Sequence, residues 1–184
     1  MDNSFTNERT LKTGETLILR APIEEDAKDM IEYLNIVGGE SDNLLFGKDE
    51  FRLTVEQEAE YIKKVKQDPN MLMLLGIINN TVVSIAEIRS LGRKRIAHNS
   101  ELAISVKKEY WGMSVGSAVM EELIRFAKDH ELIKNISLGV KASNERAIKL
   151  YERFGFVKVG SHKDYFNING EYDDEYIMDL HIDK

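Results

Sequence analysis

Residues Val106 to Ala118, VKKEYWGMSVGSA, hold the arrangement with the clearest chemical consequence. A β-rich run, SELAISV (Ser100 to Val106), leads into a short turn with Gly112 and Gly116. The apolar positions Val115, Ala118, Val119, Leu123, Ile124 and Ala127 then recur at three- and four-residue spacing, which predicts a helix with one buried face. The first turn of a helix presents unpaired main-chain N–H groups at the positive end of its dipole, so a phosphate is stabilised there without basic side chains. Glycine lets the backbone approach such an anion where a side chain would intervene. A P-loop would require Lys-Ser or Lys-Thr after the glycines, and a dinucleotide-binding turn would require three spaced glycines; neither pattern is present. Taken alone, the same letters also describe an ordinary helix whose first turn contains glycine.

A second motif, NERAIKLYERFGF, runs from Asn144 to Phe156. Asn144 is placed to cap a helix, Ala147, Leu150 and Tyr151 fall on neighbouring positions of one face, and Gly155 suits a left-handed termination. Near the C-terminus, Tyr172, Asp173, Asp174 and Glu175 follow a polar turn; they would suit a cationic amine, although such a cluster equally describes a solvated turn. The chain has no cysteine, so disulfides, thiolate metal sites and an S-acyl enzyme are excluded. His98, His130, His162 and His181 are scattered without close pairing, and no metal site is expected.

The elements that must position these residues follow from periodicity. Thr16 to Arg20 is β-like and ends before Pro22, and from Glu24 the residues Ala27, Met30, Ile31 and Leu34 have helical spacing. Gly38 to Arg52 is expected to be a loop. Thr54 and Gln57 form a capping-box pattern opening a helix that runs to Gln67. Met71 to Ile78 and Thr81 to Ile88 flank Asn79-Asn80 as a hairpin. A basic connector, Gly92 to Asn99, precedes the Ser100 to Val106 strand; after the Ser114 to His130 helix come the strand Ile136 to Val140 and the helix Asn144 to Phe154. Two strand-rich stretches, Phe156 to Phe166 and Glu175 to Ile182, flank the turn Asn167 to Gly170. The order β-α-α-β-β-β-α-β-α-β-β fits an α+β architecture better than a doubly wound one.

At 184 residues and 42% hydrophobic content the chain is expected to form one domain, residues 1–184. A formal charge of -7 opposes nucleic-acid binding and welcomes a cationic substrate. The N-terminal letters lack a basic region followed by an apolar run, and no stretch is long and apolar enough for a membrane span, so a cytoplasmic protein is expected. Assembly is left open, a homodimer being the commonest symmetric outcome.

With its two motifs in this order, the chain resembles the GNAT superfamily of acetyltransferases over nearly its whole length. The family signature is Arg or Gln, two residues, Gly, one residue, then Gly or Ala, between the fourth strand and third helix. Its second hallmark is Asn-x-x-Ala-x-x-Leu-Tyr followed by Gly-Phe. The first pattern falls on Trp111, Ser114 and Gly116. Two positions depart: Trp111 lacks the polar group of Arg or Gln, and Ser114 adds a Cβ, while its hydroxyl is able to bond a phosphate oxygen.

The resemblance implies a central mixed, mostly antiparallel, twisted sheet of about seven strands flanked by about four helices. It also implies direct transfer of an acetyl group from acetyl-CoA to the primary amine of a small molecule, or less closely of a protein N-terminus or lysine. Main-chain N–H groups of Trp111, Gly112, Met113, Ser114, Val115, Gly116 and Ser117 would hold the pyrophosphate. Ile104, Ser105 and Val106 would pair with the pantetheine arm, beside a wedge opened by splaying from Ser137 to Lys141. Asn144 and Ala147 belong to the cofactor-binding set, and Tyr151 would point its hydroxyl at the sulfur as acid for the thiolate. Glu101 leads as base, with Glu87, His98 and a water chain as alternatives. The rival class is a non-catalytic acyl-CoA-binding or sensing module, motivated by Trp111, Ser114 and the open choice of base.

Overall fold

Apolar runs bounded by turn residues become strands, and runs with three- and four-residue spacing become helices, over the residues described by the computed structural model, 6–183. The order is β1 (Thr6–Thr10), β2 (Thr16–Arg20), α1 (Ala27–Glu40), α2 (Val55–Gln67), β3 (Met71–Ile78), β4 (Thr81–Ser90), β5 (Asn99–Val106), α3 (Val115–Asp129), β6 (Asn135–Lys141), α4 (Glu145–Arg153), β7 (Val157–Ile168) and β8 (Glu171–His181). The sheet order is β1-β2-β3-β4-β5-β6-β8-β7. The β5/β6 pair is parallel, whereas β1/β2, β2/β3, β6/β8 and β7/β8 are antiparallel. This is the mixed, mostly antiparallel α+β architecture expected, with eight strands rather than about seven.

The additional strand is β1. Its letters, TNERT, contain no apolar residue and give no alternation to detect. Polar side chains hold it instead: Asn7 Nδ2 donates to Glu122 Oε1 at 2.6 Å, Arg9 pairs with the same oxygen at 2.9 Å, and Arg9 also bridges to Glu121 of α3. Glu122 is buried, and this pairing satisfies its charge.

The chain forms two compact units, one from the segment up to Ile88 with Ala103–Leu123, the other from Arg89–Leu102 with Ile124 onward. In the first, Ala27, Met30, Tyr33 and Val37 of α1 and Ile62 and Val65 of α2 pack with Met73, Leu75 and Val82 of the strands. Helix α1 continues through Gly38 and Gly39 to Glu40, where a loop was expected. Glycine usually signals a helix end, but at position 38 it serves close approach. A Cβ there would stand 2.5 Å from the Gly47 carbonyl oxygen.

In the second unit, Ile136, Leu138 and Val140 alternate into the core from β6, which pairs with β8 from Asn135↔His181 to Lys141↔Glu175. Strands β7 and β8 extend further toward their turn than the sequence indicated. Asn169 and Gly170 have φ of 53° and 91°, the positive values a tight hairpin turn requires. Helix α4 is bounded as expected: Asn144 Oδ1 accepts from the Ala147 amide at 3.3 Å, and Gly155 adopts φ 90° just past the helix.

Candidate active site

The turn that follows β5 is tied down on several sides within the first unit. The Lys107 amide donates to the Val83 carbonyl at 2.9 Å, the Lys108 amide to Glu40 Oε2 at 2.7 Å, and Trp111 Nε1 to the Val106 carbonyl at 2.7 Å. A single 3₁₀ turn, Lys108–Tyr110, carries the chain to Trp111. Gly112 then takes φ 80° and Ser114 φ 70°. The Ser114 carbonyl accepts the Ala118 amide at 3.0 Å, which starts α3 at Val115.

Ser114 thus occupies a left-handed conformation, which a residue with a Cβ adopts at a cost of roughly 1–2 kcal/mol. The position that departs from the family signature is therefore one where glycine has a backbone reason to be. Gly112 and Ser114 are exposed, Val115 is buried, and Trp111, Met113, Gly116 and Ser117 are half-buried. The Val115 and Gly116 amides lie in the first turn of α3, where no intrahelical acceptor exists. A Cβ built on Gly112 meets nothing within 4 Å. First-turn amides and a Gly112 with open space around it suit an anion such as a pyrophosphate.

Ile104, Ser105 and Val106 are half-buried at the end of β5. Ser105 is engaged within its own unit: Tyr33 donates to its Oγ at 3.0 Å, its Oγ donates to the Ile85 carbonyl at 3.4 Å, and its carbonyl accepts from Ser84 Oγ at 2.8 Å. Burial pushes the Tyr33 phenol well above its ordinary pKa, so it remains a donor. The parallel β5/β6 ladder comprises three pairs and ends at Glu101↔Ser137.

The three candidate bases have different surroundings. Glu101 projects to solvent and pairs with Arg89 at 2.8 Å, each side chain 52% exposed. His98 is exposed in the connector, where its carbonyl accepts the amides of Lys134 and Asn135. Glu87 is half-buried on β4 and accepts a 2.6 Å hydrogen bond from Tyr61 of α2. Beside it is Glu58, only 2% exposed, whose pKa is raised by burial and then by the charge of Glu87.

Glu58 and Tyr61 interact with the candidate base Glu87, and motif matching overlooks both. A signal was present, since Glu58 is spaced from Ile62 and Val65 on the buried face of α2, where a carboxylate is out of place.

In the second unit Tyr151 is 7% exposed and its ring lies 5.9 Å from that of Phe156. Burial pushes its pKa up to about 12. Asn144 and Ala147 are half-buried at the start of α4. Glu175, in the acidic segment after the polar turn, is buried against Gly139 and accepts or shares a 2.9 Å contact with His162 Nδ1. Asp173, by contrast, has its pKa lowered, first by a hydrogen bond from Ser143, and its carboxylate lies 3.8 Å from Lys141 Nζ.

Residues 42–156 match the model of the acetyltransferase (GNAT) family. An L-amino acid N-acetyltransferase of Escherichia coli is 32% identical over 116 residues, covering 63% of this chain and 72% of that protein. The crystal structure of a GNAT-family acetyltransferase from Streptococcus pneumoniae superposes with a TM-score of 0.87 at 31% identity, over 90% of this chain and 99% of that one. A Salmonella typhimurium protein solved with its cofactor acetyl-CoA shares the fold, with a TM-score of 0.78 at 16% identity, over 91% of this chain and 95% of that one. The strand, turn and helix of the cradle, the capped α4 and these similarities agree: the chain belongs to the acetyltransferase (GNAT) family, and it is an acyltransferase.

Proposed function

We propose that the protein moves an acetyl group from acetyl-CoA directly to a primary amine of a small molecule. The observation that carries this reading is the cradle: first-turn amides of α3 and a Gly112 with open space around it, behind a turn held by Trp111 and Lys107. The main-chain N–H groups from Trp111 to Ser117 hold the pyrophosphate, and Ile104, Ser105 and Val106 run beside the pantetheine arm as an added strand would. Asn144, Ala147 and Tyr151 complete the cofactor set. The Escherichia coli relative is named for L-amino acids, which are small primary amines and support that acceptor class.

Acetyl-CoA supplies a thioester carbon. The acceptor nitrogen, once deprotonated, bonds to it as the carbon–sulfur bond breaks, and the leaving sulfur takes a proton. Tyr151 is the proposed donor of that proton, and a raised pKa keeps it protonated throughout the neutral range. For the proton taken from the amine, Glu87 is better supported than Glu101, because a half-buried carboxylate held by Tyr61 is preorganised whereas Glu101 is engaged with Arg89 in solvent. With no cysteine in the chain, transfer proceeds without an S-acyl enzyme.

The test combines a thermal shift with turnover. Acetyl-CoA is expected to stabilise the pure protein, and at least one member of an amine panel is expected to release CoA. Stabilisation without product from any amine would favour a binding module instead, and failure of both would refute the reading.

A further inference from the structure

The main chain at the end of β5 is fixed in direction by several bonds, all inside the first unit. Ser84 of β4 donates from its Oγ to the Ser105 carbonyl at 2.8 Å, and the Lys107 amide donates to the Val83 carbonyl of the same strand at 2.9 Å. Between them, Trp111 Nε1 donates to the Val106 carbonyl at 2.7 Å. A trans peptide is planar, with its C=O and the following N–H on opposite sides, and the described residues contain no cis peptide. The Ser105 carbonyl is held by β4, so the Val106 N–H is turned away from β4. The Lys107 amide is also held by β4, which sends the Val106 carbonyl to the far side, where Trp111 meets it. Both main-chain polar groups of Val106 thus face away from β4, and the N–H is a donor of fixed aim.

The hydroxyl that sets this direction is itself confined. Ser84 is fully buried, and a Cβ built on Gly76 of β3 would stand 3.0 Å from the Ser84 Cβ, so glycine there leaves the serine its room. Ser105 is anchored through its side chain as well. Buried Tyr33 of α1 donates to the Ser105 Oγ at 3.0 Å, which directs the serine's own proton to the Ile85 carbonyl at 3.4 Å. Alanine in place of Ser84 would fill nearly the same core space with no hydroxyl to satisfy. What the serine adds is therefore direction of the peptide rather than packing.

We infer that Ser84 is a positioning residue for the proposed transfer: by holding the Ser105 carbonyl it aims the Val106 N–H at a carbonyl oxygen of the acetyl-pantetheine arm. This rests on the acetyl-transfer reading above, which runs the arm beside Ile104 to Val106, and deepens it. A donor oriented in advance by the fold stabilises its acceptor without reorganising when the acceptor arrives. The arm offers this chemistry in its amide carbonyls, which would gain from the N–H on binding, and in its thioester carbonyl, which would gain most as it becomes an oxyanion. Tyr33 acts on the Ser105 side chain rather than on the carbonyl, and is the weaker hold.

The experiment compares the unaltered protein with Ser84→Ala and Ser84→Cys. Titration calorimetry gives Kd for CoA and for 3′-phospho-ADP, the part of CoA that carries the pyrophosphate without the arm, and steady-state kinetics with acetyl-CoA and an accepted amine gives kcat and KM. In Ser84→Ala the 3′-phospho-ADP affinity is expected to stay within about twofold. If the N–H holds an arm amide, CoA binding weakens roughly tenfold and kcat changes little. If it holds the thioester carbonyl, kcat falls about 10- to 100-fold with CoA affinity retained. The isotope-edited carbonyl stretch of bound acetyl-CoA then also moves toward its value in free solution. Ser84→Cys, a weak donor of similar size, is expected to fall between the unaltered protein and Ser84→Ala, and it carries the test should the alanine variant fold poorly.

Equal weakening of CoA and 3′-phospho-ADP, or a folded Ser84 variant with unchanged CoA affinity, kcat and carbonyl stretch, overturns the inference while leaving acetyl transfer intact. A selective loss of CoA affinity in a protein that acetylates no amine supports the aimed N–H and counts against the transfer reading. An unaltered protein that neither binds CoA nor turns over overturns both.

Discussion

Trp111 Nε1 donates a 2.7 Å hydrogen bond to the carbonyl oxygen of Val106, closing the cradle's turn onto the end of the strand it leaves. The residue that replaces the signature's Arg or Gln therefore braces the backbone. Trp111→Phe removes the donor while keeping an aromatic ring, and is expected to cost about 1 kcal/mol of stability. CoA affinity should fall several-fold with it, as measured by titration calorimetry.

Ser114 gives a prediction of opposite sign. Its φ of 70° disfavours any Cβ, whereas glycine accepts the conformation at an entropic cost in the unfolded chain. The balance leaves Ser114→Gly stabilising by about 0.5–1 kcal/mol, and Ser114→Val destabilising. Chemical denaturation of the three proteins checks the order.

Gly38→Ala should destabilise, although alanine is the better helix former. The new Cβ would stand 2.5 Å from the Gly47 carbonyl oxygen, and both partners are backbone. A loss of about 1–3 kcal/mol is expected from such overpacking, against the roughly 1 kcal/mol gain that propensity alone would give. A melting temperature above that of the unaltered protein would contradict the close approach.

Tyr151→Phe tests the proton donor. Turnover is expected to fall about 10²–10⁴-fold with little change in acetyl-CoA affinity. Burial raises the phenol's pKa to about 12, so in the unaltered enzyme ionisation of Tyr151 should produce no loss of rate between pH 7 and about 10. Stability from keeping this phenol neutral is fully present below about 10 and is lost as the pH rises toward the folded value. Unchanged turnover in the Phe variant would remove Tyr151 from the mechanism.

Glu58 should leave a mark on the pH dependence of stability. Its folded pKa lies above the ordinary glutamate value, because burial and then the charge of Glu87 disfavour ionisation. The folded state therefore holds this proton more tightly than the unfolded state. That contribution is fully present below the unfolded pKa and disappears as pH rises through the folded one. The stability advantage of Glu58→Gln over the unaltered chain should accordingly grow with pH across this window.

Much of this organisation was legible in the letters because local signals and tertiary packing agree. The Asn144 cap, the Gly155 termination and the buried face bearing Tyr151 all follow from NERAIKLYERFGF. What escaped detection depends on contacts distant in sequence. Strand β1 is polar along its length and is recognisable only through Asn7 and Arg9 meeting Glu121 and Glu122 of α3. The glycines at 38 and 39 resemble a helix end until Gly47 is seen against Gly38 and Lys48 against Gly39. Glu101 stood out for its position before the cradle, but alternation along β5 turns it to solvent toward Arg89, while Ser100 and Leu102 face inward. Whether a carboxylate is held by Tyr61 or by a solvent-exposed arginine is decided by which strands and helices meet, and single-residue spacing does not encode that.

The central claim is direct transfer of acetyl from acetyl-CoA to an amine, and isotope-labelled acetyl-CoA tests it most directly. With a panel of small primary amines, the label is expected to appear as an N-acetyl product in step with CoA release, with no labelled protein accumulating when the amine is omitted. Label retained entirely in acetyl-CoA with every amine, or trapped on the protein as a covalent intermediate, would contradict it.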